Sequence, residues 1–286
     1  MIELPEDLRP LRDPVLVAAF EGWNDAADAS SDAISHLGRV WEATPLGDLD
    51  PDDYYDSQVN RPTVRLLDGL TRRIEWPTSR LSLCAADEGE RDIVLLQGIE
   101  PNMRWRGFCD ELVEAARTVG VRTVITLGAL LADSPHTRPV QVTGTAYDAA
   151  TVERLGLAHS RYEGPTGILG VFHAVCSAAG MEAVSFWASV PHYVAQPPCP
   201  KATLALLGRV EDVLDRPVPL ADLPERARDW QQRVDTLAAE DSDVADYVRS
   251  LEEREHAADL PDASGDAIAR EFERYLRRNG PEVAGG

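Results

Sequence analysis

Polar side chains able to do chemistry recur in this sequence directly after short apolar runs. The first group is Glu21-Gly-Trp-Asn-Asp25. A carboxylate beside an indole there could hold a cation or a sugar, or act as a general base, so Glu21, Trp23 and Asn24 are ligand candidates. Capping of the next helix by Asn24 or Asp25 is the structural alternative. The second group, Gly98-Ile-Glu-Pro-Asn-Met-Arg-Trp-Arg106, places Glu100, Asn102 and Arg104 within five positions. Arg104 and Arg106 suit an anion or carboxylate, whereas an Arg–Glu pair with Asn102 as helix N-cap would be purely structural.

The third group runs from Gly128 to Arg138 and carries Asp133, His136 and Arg138. Ser134 and His136 are too close in sequence for triad geometry, and Gly-x-Ser-x-Gly is missing, which argues against a serine hydrolase. The fourth, Tyr162-Glu-Gly-Pro-Thr-Gly-Ile-Leu-Gly170, brings Glu163, Thr166 and Gly167 to the start of an apolar helix. Backbone amides at such a start favour an anion. Thr166 as N-cap is the structural alternative, and the glycine spacing matches neither a phosphate-binding P-loop nor a dinucleotide fingerprint. Last comes Val190 to Ala202, with His192 and Lys201. Lys201 is the only lysine of the chain and stands where a helix should begin. A cation there opposes the helix dipole, which supports a pairing role with a carboxylate or phosphate. No catalytic residue and no cofactor is assigned by these patterns.

The elements that must position these groups are legible around them. Pro14 to Phe20, Asp92 to Gln97, Val121 to Leu127 and Ala183 to Ala188 are continuous apolar runs, as strands buried on both faces require. Helical patterns fall between them over 25–37, 105–119 and 168–179. That alternation predicts a three-layer α/β/α sandwich with a mixed, largely parallel sheet. Asp68-Gly69 between Thr63–Leu67 and Arg72–Trp76 predicts a hairpin, followed by a strand over 80–86, so the sheet should be mixed, with an antiparallel section in its first half. Ligands of parallel sheets sit beyond the strand C-termini, where all five polar groups fall. Narrow apolar stripes at Trp230–Ala238, Val244–Leu251 and Ile268–Leu276 predict a helical arm. The expected division is a sandwich domain over 1–220, the arm over 221–279 and a disordered tail over 280–286.

Composition narrows the function classes. The formal charge of −21, from 49 acids against 28 bases, makes nucleic acid a poor partner. No run is apolar enough to span a membrane, and Met1 to Asp7 has no signal-peptide pattern. Four widely spaced cysteines read as reduced cytosolic thiols, with no metal site expected.

Taken together, Ala19-Phe-Glu-Gly-Trp-Asn-Asp25, Val59-Asn-Arg-Pro62, Gly98-Ile-Glu-Pro-Asn102, Leu127 to Asp133, Pro135-His-Thr-Arg-Pro139, Tyr162 to Gly167, Val190-Pro-His-Tyr193 and Pro200-Lys-Ala-Thr203 resemble the proteasome assembly chaperone 2 family in its actinobacterial form. The resemblance spans roughly residues 12 to 215. It implies a sandwich similar to nucleoside phosphorylases, assembly into homo-oligomers, and a chaperone or scaffold role with a proteasome-related protein partner. Eukaryotic members dock on the proteasome ring through a C-terminal hydrophobic-Tyr-x tail, which the ending Val283-Ala-Gly-Gly286 lacks. The second reading is an enzyme or binder of a small anionic ligand. Similar bacterial sequences carry the label carboxylate–amine ligase, but no ATP-binding loop supports it here.

Overall fold

Residues 2–87, 89–157 and 162–259 are described by the computed structural model. In chain order the elements are β1 (Val15–Glu21), α1 (Ala29–Val40), β2 (Thr44–Asp48), β3 (Thr63–Leu67), β4 (Thr71–Glu75), β5 (Arg80–Cys84), β6 (Ile93–Ile99) and α2 (Trp105–Thr118). They continue with β7 (Thr123–Ala132), β8 (Val142–Ala146), α3 (Ala149–Leu155), α4 (Ile168–Ala178), β9 (Glu182–Pro191), α5 (Pro200–Leu214), α6 (Leu223–Glu240) and α7 (Ser242–Asp259). Seven strands form one sheet in the order β2-β5-β6-β1-β7-β9-β8. The four at its centre, β6, β1, β7 and β9, are parallel neighbours.

Their sequences explain why. Side chains alternate across a strand, so a strand covered on both faces needs apolar residues at every position. In β1, Val15, Val17 and Ala19 enter one core with α1, α5 and α6. Leu16, Ala18 and Phe20 enter a second core with α2 and α4 on the opposite face. The three-layer α/β/α sandwich read from the sequence follows from that division.

The antiparallel section expected in the first half of the sheet is present, but the hairpin is not part of it. β5 pairs antiparallel with β6 and β2, and β8 closes the other edge antiparallel to β9. The β3–β4 hairpin forms at Asp68 and Gly69, whose φ angles of 53° and 74° suit the Asp-Gly turn. It is a separate two-stranded sheet, not a continuation of the main one. Arg65, Arg72, Arg73 and Glu75 could not be buried between two helical layers, so the ribbon stays exposed.

The helices after residue 220 pack against the sandwich. Leu223, Trp230 and Val234 of α6 join the same core as β1 and α1. Leu237, part of the expected apolar stripe, instead faces solvent. α7 buries Val248 and Leu251. The expected stripe over 268–276 and the tail over 280–286 lie outside the described residues.

Candidate functional site

The polar strand-end groups resolve into two bonded networks and one open recess. In the first network Asn24, fully buried just beyond β1, donates from Nδ2 to Glu100 Oε1 at 3.0 Å. The same Glu100 oxygen accepts the backbone N–H of Ile168, the first residue of α4, at 2.8 Å. The backbone carbonyl of Asn24 accepts Ala129 N–H of β7 at 2.8 Å. One carboxylate thus binds a helix N-terminus and ties β1 to the loop after β6. Gly167 is required where these meet, because a Cβ there would lie 2.1 Å from Asn24 Oδ1.

Two capping expectations are corrected by this arrangement. Gly167, not Thr166, is the N-cap of α4, and the capping acceptor is the distant Glu100. At α1 the N-cap position is held by Asp28, and Asp25 supplies the acceptor: its Oδ1 accepts Ser30 N–H at 2.7 Å and Ser30 Oγ–H at 2.6 Å. Asn102 does not cap α2; Arg104 holds the N-cap position at a left-handed φ of 55° and makes no side-chain capping bond. Asn102 Oδ1 instead accepts Asp56 N–H at 2.8 Å and Asn60 Nδ2 at 2.9 Å. The Arg104 guanidinium pairs with Asp53, not Glu100, and lies 5.7 Å over the Tyr54 ring.

The second network is centred on His136, which is only 2% exposed. Burial pushes its pKa down against the opposing pull of Asp235. The imidazole is therefore read as neutral, with Nε2–H donating to Asp235 Oδ1 at 3.0 Å and Nδ1 accepting the Tyr193 hydroxyl at 2.7 Å. The His136 backbone N–H donates to the same phenol oxygen, also at 2.7 Å. Lys201 Nζ donates to His136 carbonyl oxygen at 2.5 Å and to Gln231 Oε1 at 2.9 Å. Burial lowers the Lys201 pKa. Asp235 and Gln231 belong to α6, and Thr137 hydrogen-bonds Glu252 of α7. His192 lies 3.3 Å from Asp133 and packs its ring on Tyr193 and Tyr247. The C-terminal helices thus stand on the loops after β7 and β9.

Tyr–His–Asp order resembles a nucleophile relay, but its chemistry is unsuited to one. Burial pushes the Tyr193 hydroxyl up to about 12, leaving it a poor nucleophile near neutral pH.

Glu21 ends β1 and points away from both networks. It lines a recess of about 500 Å³ with Arg61, Arg65, Trp76, Arg80 and Gln97. Confinement there, followed by the charges of Asp25 and Asp28, raises its pKa, against a hydrogen bond from Gln97 and the charge of Arg80. Trp23, Arg138, Glu163 and Thr166 are exposed, and no side-chain bond joins them to either network among the described residues. Sequence reasoning missed Tyr193, Gln231, Asp235 and Glu252, which look like ordinary helix-face or aromatic positions. It also missed Arg61 as a site residue, although Val59-Asn-Arg-Pro62 was one of the motifs. Among the described residues, no group of three or more His, Cys, Asp or Glu could hold a metal ion. No helix among them is long and apolar enough to cross a membrane.

A mixed-sheet α/β/α sandwich with its strand-end loops tied to C-terminal helices defines the structural class. The chain belongs to the PAC2 family, whose model matches residues 19–238. A PAC2 family protein from Streptomyces avermitilis is 56% identical over 82% of this chain and 100% of that one, with a TM-score of 0.79. A Mycobacterium tuberculosis proteasome-assembly chaperone homologue is 58% identical over 82% and 99%, with a TM-score of 0.76. An archaeal proteasome activator from Pyrococcus furiosus shares the fold at 16% identity, covering 83% and 98% with a TM-score of 0.65. No match is found among curated proteins.

Proposed function

We propose that this chain is a cytoplasmic assembly factor that acts by docking on protein subunits of a proteasome-related complex, itself as a homo-oligomer. The observation that carries the reading is the use of the strand-end polar groups inside the fold. Glu100 and Asn24 hold α4, while His136 and Lys201 hold α6. Groups committed in this way brace a scaffold, whereas catalysis needs them presented to a substrate. The names borne by the Mycobacterium and Pyrococcus relatives support a proteasome-related partner. The division into a sandwich over 1–220 and a separate arm from residue 221 belongs to the same reading, and the bracing contacts come from α6 and α7.

The β3–β4 ribbon supplies a docking surface. Val64 pairs directly across from Ile74, and Leu66 lies two positions along on the same face. Their exposures are 59%, 54% and 61%, and Leu70 at the turn reaches 89%. Apolar side chains grouped in this way on a ribbon mark an association surface. The test mixes the protein with purified proteasome α- and β-subunits of its own host and follows ring assembly by native mass spectrometry. A defined complex and faster ring formation are expected, both weakened by Leu66→Asp with Ile74→Asp. No complex at micromolar concentrations, with assembly unchanged, would overturn the proposal.

A further inference from the structure

The recess beside Glu21 has a composition that the assembly reading does not use. Its floor is sheet, its wall is α1, and its roof is the inner face of the β3–β4 ribbon. Ile34 and Trp76 contribute apolar lining, and Ser35 donates to Gln97 Oε1 at 3.2 Å on the floor. In a chain with net charge −21, this one recess gathers Arg61, Arg65 and Arg80.

The pairing of those arginines is uneven. Arg65 is committed to Glu75 at 2.6 Å. Arg80 Nε lies 3.8 Å from Asp48 Oδ1, too far for a hydrogen bond, so its donors remain available. Arg61 has no hydrogen-bond or ion-pair partner among the described residues. Two guanidinium forks therefore face the recess with unused donors, in the planar geometry that matches a carboxylate or phosphate.

We propose that this recess is a binding site for a small organic anion, whose carboxylate or phosphate is held by Arg61 and Arg80 and whose apolar body lies against Ile34 and Trp76. Glu21 and Gln97 at the inner end select a ligand that also carries a hydroxyl or amine donor. The surrounding acidic surface slows entry of anions, so affinity comes from local pairing and not from long-range steering. The inference goes beyond the assembly reading and does not rest on it.

The test is calorimetric titration of the full-length protein at low salt with phenyl phosphate, benzoate and inorganic phosphate. Saturable single-site binding of phenyl phosphate or benzoate is expected, and the better of the two identifies the head group. Arg61→Gln combined with Arg80→Gln should weaken it by at least about tenfold, the loss of one charge-assisted pair or more. Arg80 is well exposed and Arg61 makes no bond, so the variant's thermal midpoint should match the wild type. Inorganic phosphate binding as tightly as phenyl phosphate would remove the apolar body from the proposal. Unchanged affinity in the double variant, or no saturable binding of any probe at millimolar concentrations, would overturn the site.

Discussion

Replacing Glu100 separates a structural carboxylate from a ligand-binding one. Glu100→Ala strips the acceptor from two donors at once, Asn24 Nδ2 and the backbone N–H of Ile168. Asn24 is fully buried in the intact fold, so its amide depends on this acceptor. An orphaned buried donor costs about 1–3 kcal/mol, which makes about 2–6 kcal/mol for the pair. The negative charge at the start of α4 adds about 0.3–1 kcal/mol. Glu100→Gln keeps an oxygen where both donors point and forfeits mainly the charge, so its cost should be about 1 kcal/mol. Urea unfolding followed by far-UV circular dichroism reads both values as midpoint shifts at a constant slope. In a double-mutant cycle, Asn24→Ala with Glu100→Ala should cost less than the two single changes summed. A cost under about 1 kcal/mol for Glu100→Ala, or a Glu100→Gln as damaging as Glu100→Ala, would refute the structural role of this carboxylate.

Two further outcomes follow from other buried polar groups. The Asp92 side chain is inaccessible; burial alone would raise its pKa, but Arg9 and the N–H groups of Ala86 and Arg12 outweigh this and lower it to about 2. A folded value below the unfolded one, about 3.9, gives stability that is full above the unfolded value and lost as pH falls towards 2. The contribution is roughly 2 kcal/mol, so the stability gap between wild type and Asp92→Asn should shrink over that range in acid unfolding curves. Lys201→Met removes the donor shared by His136 carbonyl oxygen and Gln231. It should cost about 1–3 kcal/mol and speed hydrogen exchange in α6 before it does so in β1.

How much of this was readable depended on what each segment touches. The central strands are legible because both faces are buried, so β1 runs apolar from Val15 to Phe20 and β6 from Ile93 to Leu96. β2 and β8 were missed for the converse reason. They are edge strands, and Pro45, Gly47 and Gly144 break the pattern a strand reader relies on. The Asp-Gly turn disclosed the ribbon, yet nothing local told whether it would join the main sheet. At the site, spacing located Glu100, His136 and Lys201 in loops at strand ends. It could not supply their partners, because Asp235 is 99 residues from His136 and Ile168 is 68 from Glu100. Arg104 shows the limit most plainly: a nearby Glu was the obvious partner, and the backbone turn at its own φ directs it to Asp53.

The bonds between the β7 loop and the C-terminal helices also set an order of events during synthesis. His136 leaves the ribosome 99 residues before Asp235, and Thr137 leaves 115 before Glu252. At about 5–20 residues per second, that gap lasts roughly 5–20 s. Through that interval the imidazole lacks its carboxylate and the nascent sandwich lacks its brace. The loop after β7 is accordingly among the last parts of the newborn chain to settle, and translation speed across α6 and α7 becomes a lever on the yield of folded protein.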